Sequence, residues 1–289
     1  MIEIYILEAL VAFQEYGTLS SAAEHLHITQ PALSRSMKKL EDTIGVPLFE
    51  RTKNKISLTE SGKIAAMYAQ RILQSEDEMI TLVRNHYNSL HTIAVGYCTP
   101  GPMMEIPSIL SRSFPSMTVS SEMMDEEDLI KGLRNESFTM VIISQPPSDE
   151  DIITIPYGHE QLYISAIPAH PLSVYKDQGV SFEDVNGETF IQASEVGTWD
   201  RIKKKMMPDS KVITQSNMDT LNELINSSSL LGFASDLTVR LFRNEANPNR
   251  IFIPINDPEA TITYYCAFLK RNKNKLQDLI SLLTNHNLY

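Results

Sequence analysis

The sequence predicts an α/β protein with a small helical N-terminal domain, one long linker helix and a larger C-terminal α/β domain. Short helical patterns with tight turns occupy residues 1–58, one long helical pattern covers 59–90, and strand-like runs alternate with helical stretches over 91–289. Hydrophobic residues form 42% and charged residues 21% of the chain, which excludes a disordered or fibrous protein. The net charge of −11 excludes a uniformly basic nucleic-acid coat protein but permits a local basic surface.

Two short helices are predicted at the start of the chain. In the first, apolar residues follow helical spacing from Ile4 to Phe13, and Gly17 ends the helix. The second is indicated by Ser21 and Glu24, which form a candidate capping box.

A third helix is predicted from Thr29, a capping residue, to Gly45. Its predicted buried stripe consists of Leu33, Met37, Leu40 and Ile44. At about 100° per residue, the opposite face presents Pro31, Arg35 and Lys38, with Ser34 and Lys39 at its edges.

A small hairpin, or wing, is predicted after the third helix. Leu48–Phe49 and Ile56–Leu58 flank a polar, basic turn. Between positions 31 and 55 there are six basic residues against three acidic ones, in a chain that is acidic as a whole. A basic helix face beside a basic hairpin suits a DNA duplex, because a helix fits the major groove and a hairpin can follow the backbone. Pattern alone leaves an ordinary solvated surface as an equal alternative.

The same stretch resembles the winged helix-turn-helix of LysR-type transcriptional regulators over residues 1–62. The resemblance is carried by Phe13, Gly17-Thr18-Leu19, Ala22-Ala23, Leu26, Thr29 to Arg35, Leu40-Glu41, Ile44-Gly45, Leu48 to Arg51 and Leu58 to Gly62. It implies a DNA-binding transcriptional regulator rather than an enzyme. It also implies a linker helix, followed by a two-subdomain effector domain that resembles type 2 periplasmic binding proteins.

The resemblance implies DNA contacts from the third helix and the wing. Gln30 offers a donor and an acceptor to a base edge, Arg35 reaches guanine or phosphate, and hydroxyl groups bond phosphate oxygens. The wing departs from the family at Asn54, where an arginine is frequent. The candidate DNA-binding residues are Thr29, Gln30, Pro31, Ser34, Arg35, Lys38, Lys39, Arg51, Lys53 and Lys55.

The long helix over 59–90 carries an apolar stripe formed by Ile64, Tyr68, Ile72, Met79 and Val83. The stripe packs either on the core of its own chain or against a second chain. The resemblance favours the second interpretation, with dimers or tetramers reading an interrupted inverted repeat of double-stranded DNA.

The C-terminal region predicts an α/β fold with mostly parallel strands. The strand-like runs are 92–97, 117–122, 139–144, 162–167, 189–192, 211–214, 230–234, 251–255 and 261–269. The resemblance implies a first subdomain of about 91–161 with 267–289, a second of about 162–266, and an effector cleft between them.

Loops that follow strands supply the candidate effector-binding residues, because ligands of open α/β sheets lie beyond the carboxyl ends of strands. They are Thr99, Pro100, Gly101, Met124, Gln145, Ser194 and Thr198. These loops carry no arginine, which favours a small neutral, zwitterionic or singly anionic effector. The run Lys203 to Lys205 is interpreted as a solvated face. No cofactor and no metal site is expected.

Two other classes of function remain open at this point. Cys98 and Cys266 would be the switch of a redox sensor, although Cys266 lies in an apolar run. An enzyme is disfavoured, because the chain has no P-loop, G-x-G-x-x-G, H-E-x-x-H, C-x-x-C or G-x-S-x-G motif. The chain shows no basic leader and no apolar run of membrane-spanning length, so a cytoplasmic protein is expected.

Overall fold

The computed structural model describes residues 1–52, 56–241, 249–274 and 276–285. These residues divide into two compact units, Met1–Arg84 and Asn85–Tyr289. No helix in the described part of the chain combines the length and the apolar character that crossing a membrane requires.

Three helices build the core of the N-terminal unit: α1 (Ile4–Tyr16), α2 (Leu19–His25) and α3 (Gln30–Ile44). Gly17 and Gly45 end α1 and α3 in the left-handed conformation that glycine adopts without strain. The predicted capping box of α2 is wrong, because Thr18 caps this helix and its hydroxyl accepts the backbone N–H of Ser21. Thr29 does precede α3, but its side chain makes no capping hydrogen bond.

The predicted wing is an antiparallel pair of strands, β1 (Phe49–Arg51) and β2 (Ile56–Leu58). Helix α4 (Glu60–Asn88) follows directly. Thr59 starts it, since its hydroxyl accepts the backbone N–H of Gly62 at 3.0 Å and donates to the Pro47 carbonyl at 3.0 Å.

The second unit alternates strands with helices, as the sequence predicts. Its strands are β3 (Thr92–Tyr97), β4 (Thr118–Met123), β5 (Met140–Ile143), β6 (Ile152–Ala166), β7 (Thr189–Ala193), β8 (Lys211–Gln215), β9 (Leu231–Ser235), β10 (Ile251–Pro254) and β11 (Thr261–Leu269). Its helices are α5 (Pro100–Ser113), α6 (Glu126–Arg134), α7 (Phe182–Val185), α8 (Thr198–Met206), α9 (Met218–Ser227), α10 (Asp236–Leu241) and α11 (Gln277–Asn285), with short 3₁₀ turns at Pro171–Tyr175, Pro258–Ala260 and Lys270–Asn272.

The described strands of this unit form a sheet in the order β4-β3-β5-β11-β6-β9-β7-β8, and β10 pairs with β6. The expectation of mostly parallel strands is wrong. β3 runs parallel to β4 and β5, and β7 runs parallel to β8 and β9. However, β6 and β11 run antiparallel to each of their partners, so half of the pairings are antiparallel.

Strand β6 links the two halves of this sheet. It pairs with β11 over Ile152–Gln161 and with β9 and β10 over Leu162–Ala166. The sequence predicts only the second segment, because Pro156 and Gly158 interrupt the apolar pattern of the first. The loops that follow β3 and β7 meet beside this strand.

Candidate DNA-binding surface and effector site

Helix α3 presents a polar, partly basic face to solvent, opposite a buried stripe. Leu33, Met37 and Leu40 are fully buried, but Ile44 is exposed because it is the last residue of the helix. Among the candidate residues of this helix and its cap, Ser34 is half-buried and the others are exposed: Thr29, Gln30, Pro31, Arg35, Lys38 and Lys39.

The cations of this face differ in their partners. The ammonium group of Lys39 lies 2.6 Å from a carboxylate oxygen of Glu3, and both side chains are exposed. This hydrogen-bonded pair raises the pKa of Lys39 and lowers the pKa of Glu3. Within the described part of the chain, neither Arg35 nor Lys38 has an ion-pair partner. Among these three cations, Lys39 is therefore the one held in an ion pair within the described part of the chain.

The wing is attached to α3 by a carboxylate. One oxygen of Glu41 accepts the backbone N–H of Leu48 at 2.7 Å and that of Phe49 at 3.1 Å. The ring of Phe49 packs edge-on against Phe13, with 5.5 Å between the ring centroids. Arg51 is exposed on β1. The candidates Lys53 and Lys55 lie outside the described residues.

Helix α4 buries small residues and exposes large ones. Gly62, Ala66 and Ala69 are buried in the N-terminal unit. The predicted stripe is exposed throughout, from 48% at Ile72 to 66% at Val83. The interpretation that this stripe packs on the core of its own chain is therefore wrong, and the face is open to a partner.

Two of the loops predicted to carry the effector site are in direct contact. The backbone N–H of Thr198 donates to the carbonyl of Cys98 at 2.8 Å. Gly197 has φ +57, and a Cβ atom at this position would overlap the same carbonyl. The loops after β3 and β7 therefore close on each other, and only glycine permits this approach.

The hydroxyl of Thr99 is already used inside the protein. Thr99 is fully buried at the N-cap of α5, and its Oγ1 lies 2.6 Å from the hydroxyl of Tyr264 on β11. The Tyr264 hydroxyl donates to Oε2 of Glu160 on β6, and Trp199 Nε1 donates to the same oxygen at 3.3 Å. A chain of hydrogen bonds thus connects α5, β11, β6 and α8.

Glu160 is a buried carboxyl group at the centre of this chain, with an exposure of 2%. Burial raises its pKa, and hydrogen bonds from Ser235, Tyr264 and Trp199 oppose that effect. Burial likewise raises the pKa of Tyr264 well above its usual value. No sequence motif points to Glu160 or Tyr264. Period-two alternation through Glu160, Leu162 and Ile164 would have placed Glu160 on the buried face of β6.

A second carboxylate lies where the loop after β5 meets α8. One oxygen of Glu126 accepts both the backbone N–H, at 2.9 Å, and the hydroxyl of Ser144. The hydroxyl of Thr198 is 3.5 Å from the same oxygen. Thr198 therefore faces a carboxylate of its own chain.

The remaining effector candidates differ in their burial. Pro100 and Met124 are half-buried, Gly101 is buried against Glu160, and Gln145 and Ser194 are exposed. The backbone N–H of Ser194 donates to the carbonyl of Gln215 on β8.

Lys203 is buried, and its interpretation as part of a solvated face is wrong. Its side chain lies on the inner face of α8, 4% exposed, and its ammonium group donates to Oε1 of Gln192. The nitrogen is 4.3 Å from the ring centroid of Phe233. Burial lowers the pKa of Lys203 to about 7. Lys204 and Lys205 are exposed, as predicted.

Both cysteines lie in the core and not in a reactive site. Cys98 is 1% and Cys266 4% exposed. Burial raises the pKa of Cys266 to about 12 and also raises the pKa of Cys98. Since the thiolate is the reactive form, these surroundings disfavour the redox interpretation.

Two family descriptions match the chain. Residues 5–63 match "Bacterial regulatory helix-turn-helix protein, lysR family", and residues 91–287 match "LysR substrate binding domain". The chain belongs to the LysR family. It is therefore a LysR-type DNA-binding transcriptional regulator with an effector-binding domain, and members of this family are regulators rather than enzymes.

Similar proteins support this assignment. The HTH-type transcriptional regulator CfxR of Cupriavidus necator is 26% identical over 80% of this chain and 74% of its own. A hydrogen peroxide-inducible genes activator of Haemophilus influenzae is 23% identical over 89% and 87%. A full-length OxyR variant from Pseudomonas aeruginosa shares the fold, with a TM-score of 0.53 and 23% identity over 99% of each chain.

Proposed function

We propose that this LysR-type regulator reads DNA with helix α3 in the major groove and with the wing along the backbone, and that it acts in the cytoplasm. The observation that supports the proposal is the exposed face of α3, where Arg35 and Lys38 lie opposite the fully buried Leu33, Met37 and Leu40. Burial of one stripe fixes the helix, and the other stripe is left free for a ligand. An arginine so placed forms paired hydrogen bonds with guanine or phosphate.

Each candidate residue has a part in this proposal. Gln30 and Arg35 read base edges, because their side chains offer paired hydrogen bonds. The candidates with a hydroxyl or cationic side chain contact phosphates and set the register of the protein on the duplex: Thr29, Ser34, Lys38, Lys39, Arg51, Lys53 and Lys55. Pro31 has no hydrogen-bond donor and meets the duplex only by packing.

We further propose that the protein self-associates through α4 as a dimer or tetramer. The exposed stripe that includes Ile64, Tyr68 and Val83 offers an apolar face to a second copy of the chain. A two-fold pair of DNA-binding units would then read the two halves of an interrupted inverted repeat.

Residues 91–289 would sense a small polar effector. We propose two subdomains, about 91–161 with 267–289 and about 162–266, with the effector between the loops that carry Thr99 and Thr198. An effector that binds one arrangement of these loops more tightly shifts the population toward it, and that shift would reposition the DNA-binding pairs. The contact between Thr198 and Cys98 is the one that such an effector would change.

An Arg35→Ala variant tests the DNA-reading surface. Genomic fragments that the wild-type protein retains are selected first, and the affinity of each variant is measured by fluorescence anisotropy. We expect Arg35→Ala to weaken specific binding at least about tenfold. Arg201→Ala, which removes an exposed arginine of α8, serves as the control. Equal affinity of the Arg35→Ala variant and the wild type for the selected fragments would refute the assignment of α3.

DNA bending tests the allosteric part of the proposal. A stabilising small molecule is first found by thermal melting of the full chain, and the DNA bend angle is then measured with and without it. The proposal expects a changed bend or footprint. An identical bend, footprint and transcription level in both conditions contradicts it.

A further inference from the structure

The carboxyl group of Glu160 lies against the first turn of α5. A Cβ atom on Gly101 would lie 2.6 Å from Oε1 of Glu160 and 2.8 Å from Cδ and Oε2. Glycine is therefore required at position 101 for this carboxyl group to fit. The carboxyl group of Glu160 therefore packs closely beside Gly101 in the first turn of α5.

The hydrogen-bond donors around the carboxyl group of Glu160 already have partners within the protein. Tyr264 and Trp199 both donate to Oε2 of Glu160. Because the Tyr264 hydroxyl donates to Glu160, the proton between Tyr264 and Thr99 comes from Thr99. Tyr264 and Trp199, which an acidic ligand would use as donors, are thus committed to a carboxyl group of the chain, and Thr99 is committed to Tyr264.

The loops that surround this carboxyl group are acidic. The described loop segments 98–101, 123–126, 144–145 and 194–199 contain Asp125, Glu126 and Glu195 and no basic residue. The nearby Lys203 is directed to Gln192 and Phe233. A cation placed here would favour the ionised form of the carboxyl groups, whereas an anion would disfavour it.

We propose that Glu160 determines the effector class of this protein: its carboxyl group occupies the position that an acidic effector would take beside Thr99 and Gly101, and the site selects a small cationic ligand rich in hydrogen-bond donors. The proposal rests on the function proposed above and narrows it, because it removes carboxylic acids from the candidate effectors. Glu160 acts as a specificity determinant and not only as part of the core.

Chemical replacement of the side chain tests the proposal in the full-length protein. Glu160→Ala removes a group whose shape and charge match acetate. We expect this variant to melt roughly 3–9 °C below the wild type. Acetate should raise its melting temperature by roughly 3 °C more than chloride at equal ionic strength. Acetate should act no differently from chloride on the wild type.

The control is Ile262→Ala, which opens a cavity at the residue paired with Glu160 across β6 and β11. Acetate should not rescue this variant, because its carboxyl group is intact. An equal response of all three proteins to acetate overturns the proposal. So does a specific stabilisation of the wild type by acetate.

A second variant covers the case in which Glu160→Ala does not fold. Glu160→Gln keeps the shape of the side chain and removes its charge. We expect methylammonium chloride to stabilise the wild type more than sodium acetate does, and this preference to shrink in Glu160→Gln. No preference in the wild type, or an equal preference in both proteins, overturns the proposal. These readouts contain no DNA, so their failure is distinguishable from a failure of DNA reading or allostery.

Discussion

We expect the Lys203→Met variant to be at least as stable as the wild type at pH 7 and less stable than the wild type at pH 10. In the unfolded chain this amine takes up a proton below its ordinary pKa of 10.5, whereas in the fold it does so only below about 7. Between these values the unfolded state binds more protons, so the free energy of unfolding of the wild type rises with pH. Methionine has a similar length and does not titrate in this range.

The magnitude follows from the two pKa values. At about 1.36 kcal/mol per pH unit, the lower pKa of Lys203 in the fold reduces the free energy of unfolding by about 4 kcal/mol at pH 7 and by about 1 kcal/mol at pH 10. The variant loses a hydrogen bond, which leaves Gln192 unpaired at a cost of about 1–3 kcal/mol. The cation–π contact with Phe233, about 1 kcal/mol, is lost only at pH values where Lys203 is protonated. Lys203→Met should therefore match or exceed the wild type in stability at pH 7 and fall below it at pH 10.

Urea unfolding at several pH values measures this difference. The single tryptophan, Trp199, is buried one turn before Lys203 on the same helix, so its fluorescence reports on this region. Lys205→Met, at an exposed position of the same helix, should show a difference from the wild type that is independent of pH. A Lys203→Met difference that is equally constant from pH 7 to pH 10 would refute the assignment of a buried, perturbed amine.

Three other measurements test separate parts of the molecule. Gly197→Ala should lower the free energy of unfolding by about 2 kcal/mol or more, measured by urea unfolding, because its Cβ overlaps the Cys98 carbonyl; an unchanged value contradicts the loop closure. Val83→Glu should lower the oligomeric state seen by analytical ultracentrifugation, and an unchanged mass contradicts a role of the α4 stripe. Peroxide should leave the thiols of Cys98 and Cys266 intact in the folded protein, and their rapid loss in a thiol titration contradicts the inert assignment.

The DNA-binding half was predictable because its signals are local. Gly17 and Gly45 end α1 and α3 because each adopts the left-handed conformation at the C-cap. The buried stripe of α3 follows helical spacing. The error at α2 is also local. Thr18 caps this helix, whereas the sequence predicts Ser21, three residues further along the chain; both residues carry a hydroxyl group that can cap a helix.

The effector half was predictable in the position of most strands, but not in the first segment of β6, in the direction of the strands or in its polar interior. A run of three lysines is typical of a solvated face, yet helical spacing places Lys203 one turn after Trp199 on the buried side of α8. Glu160 was missed because its partners Trp199 and Tyr264 are distant along the chain. Sequence spacing predicts which face of an element a residue occupies, but a buried polar network depends on elements that only the fold brings together.

Helix α8 connects these buried groups, and this gives the proposed effector site a structural route to the rest of its domain. Its first turn bonds the loop after β3 through Thr198, its next residue Trp199 bonds Glu160 on β6, and Lys203 bonds Gln192 on β7. We expect a ligand that competes for Glu160 or for the Thr198 contact to displace α8, because buried polar groups that lose their partners destabilise the fold. Such a displacement would connect a local binding event to the position of a whole helix.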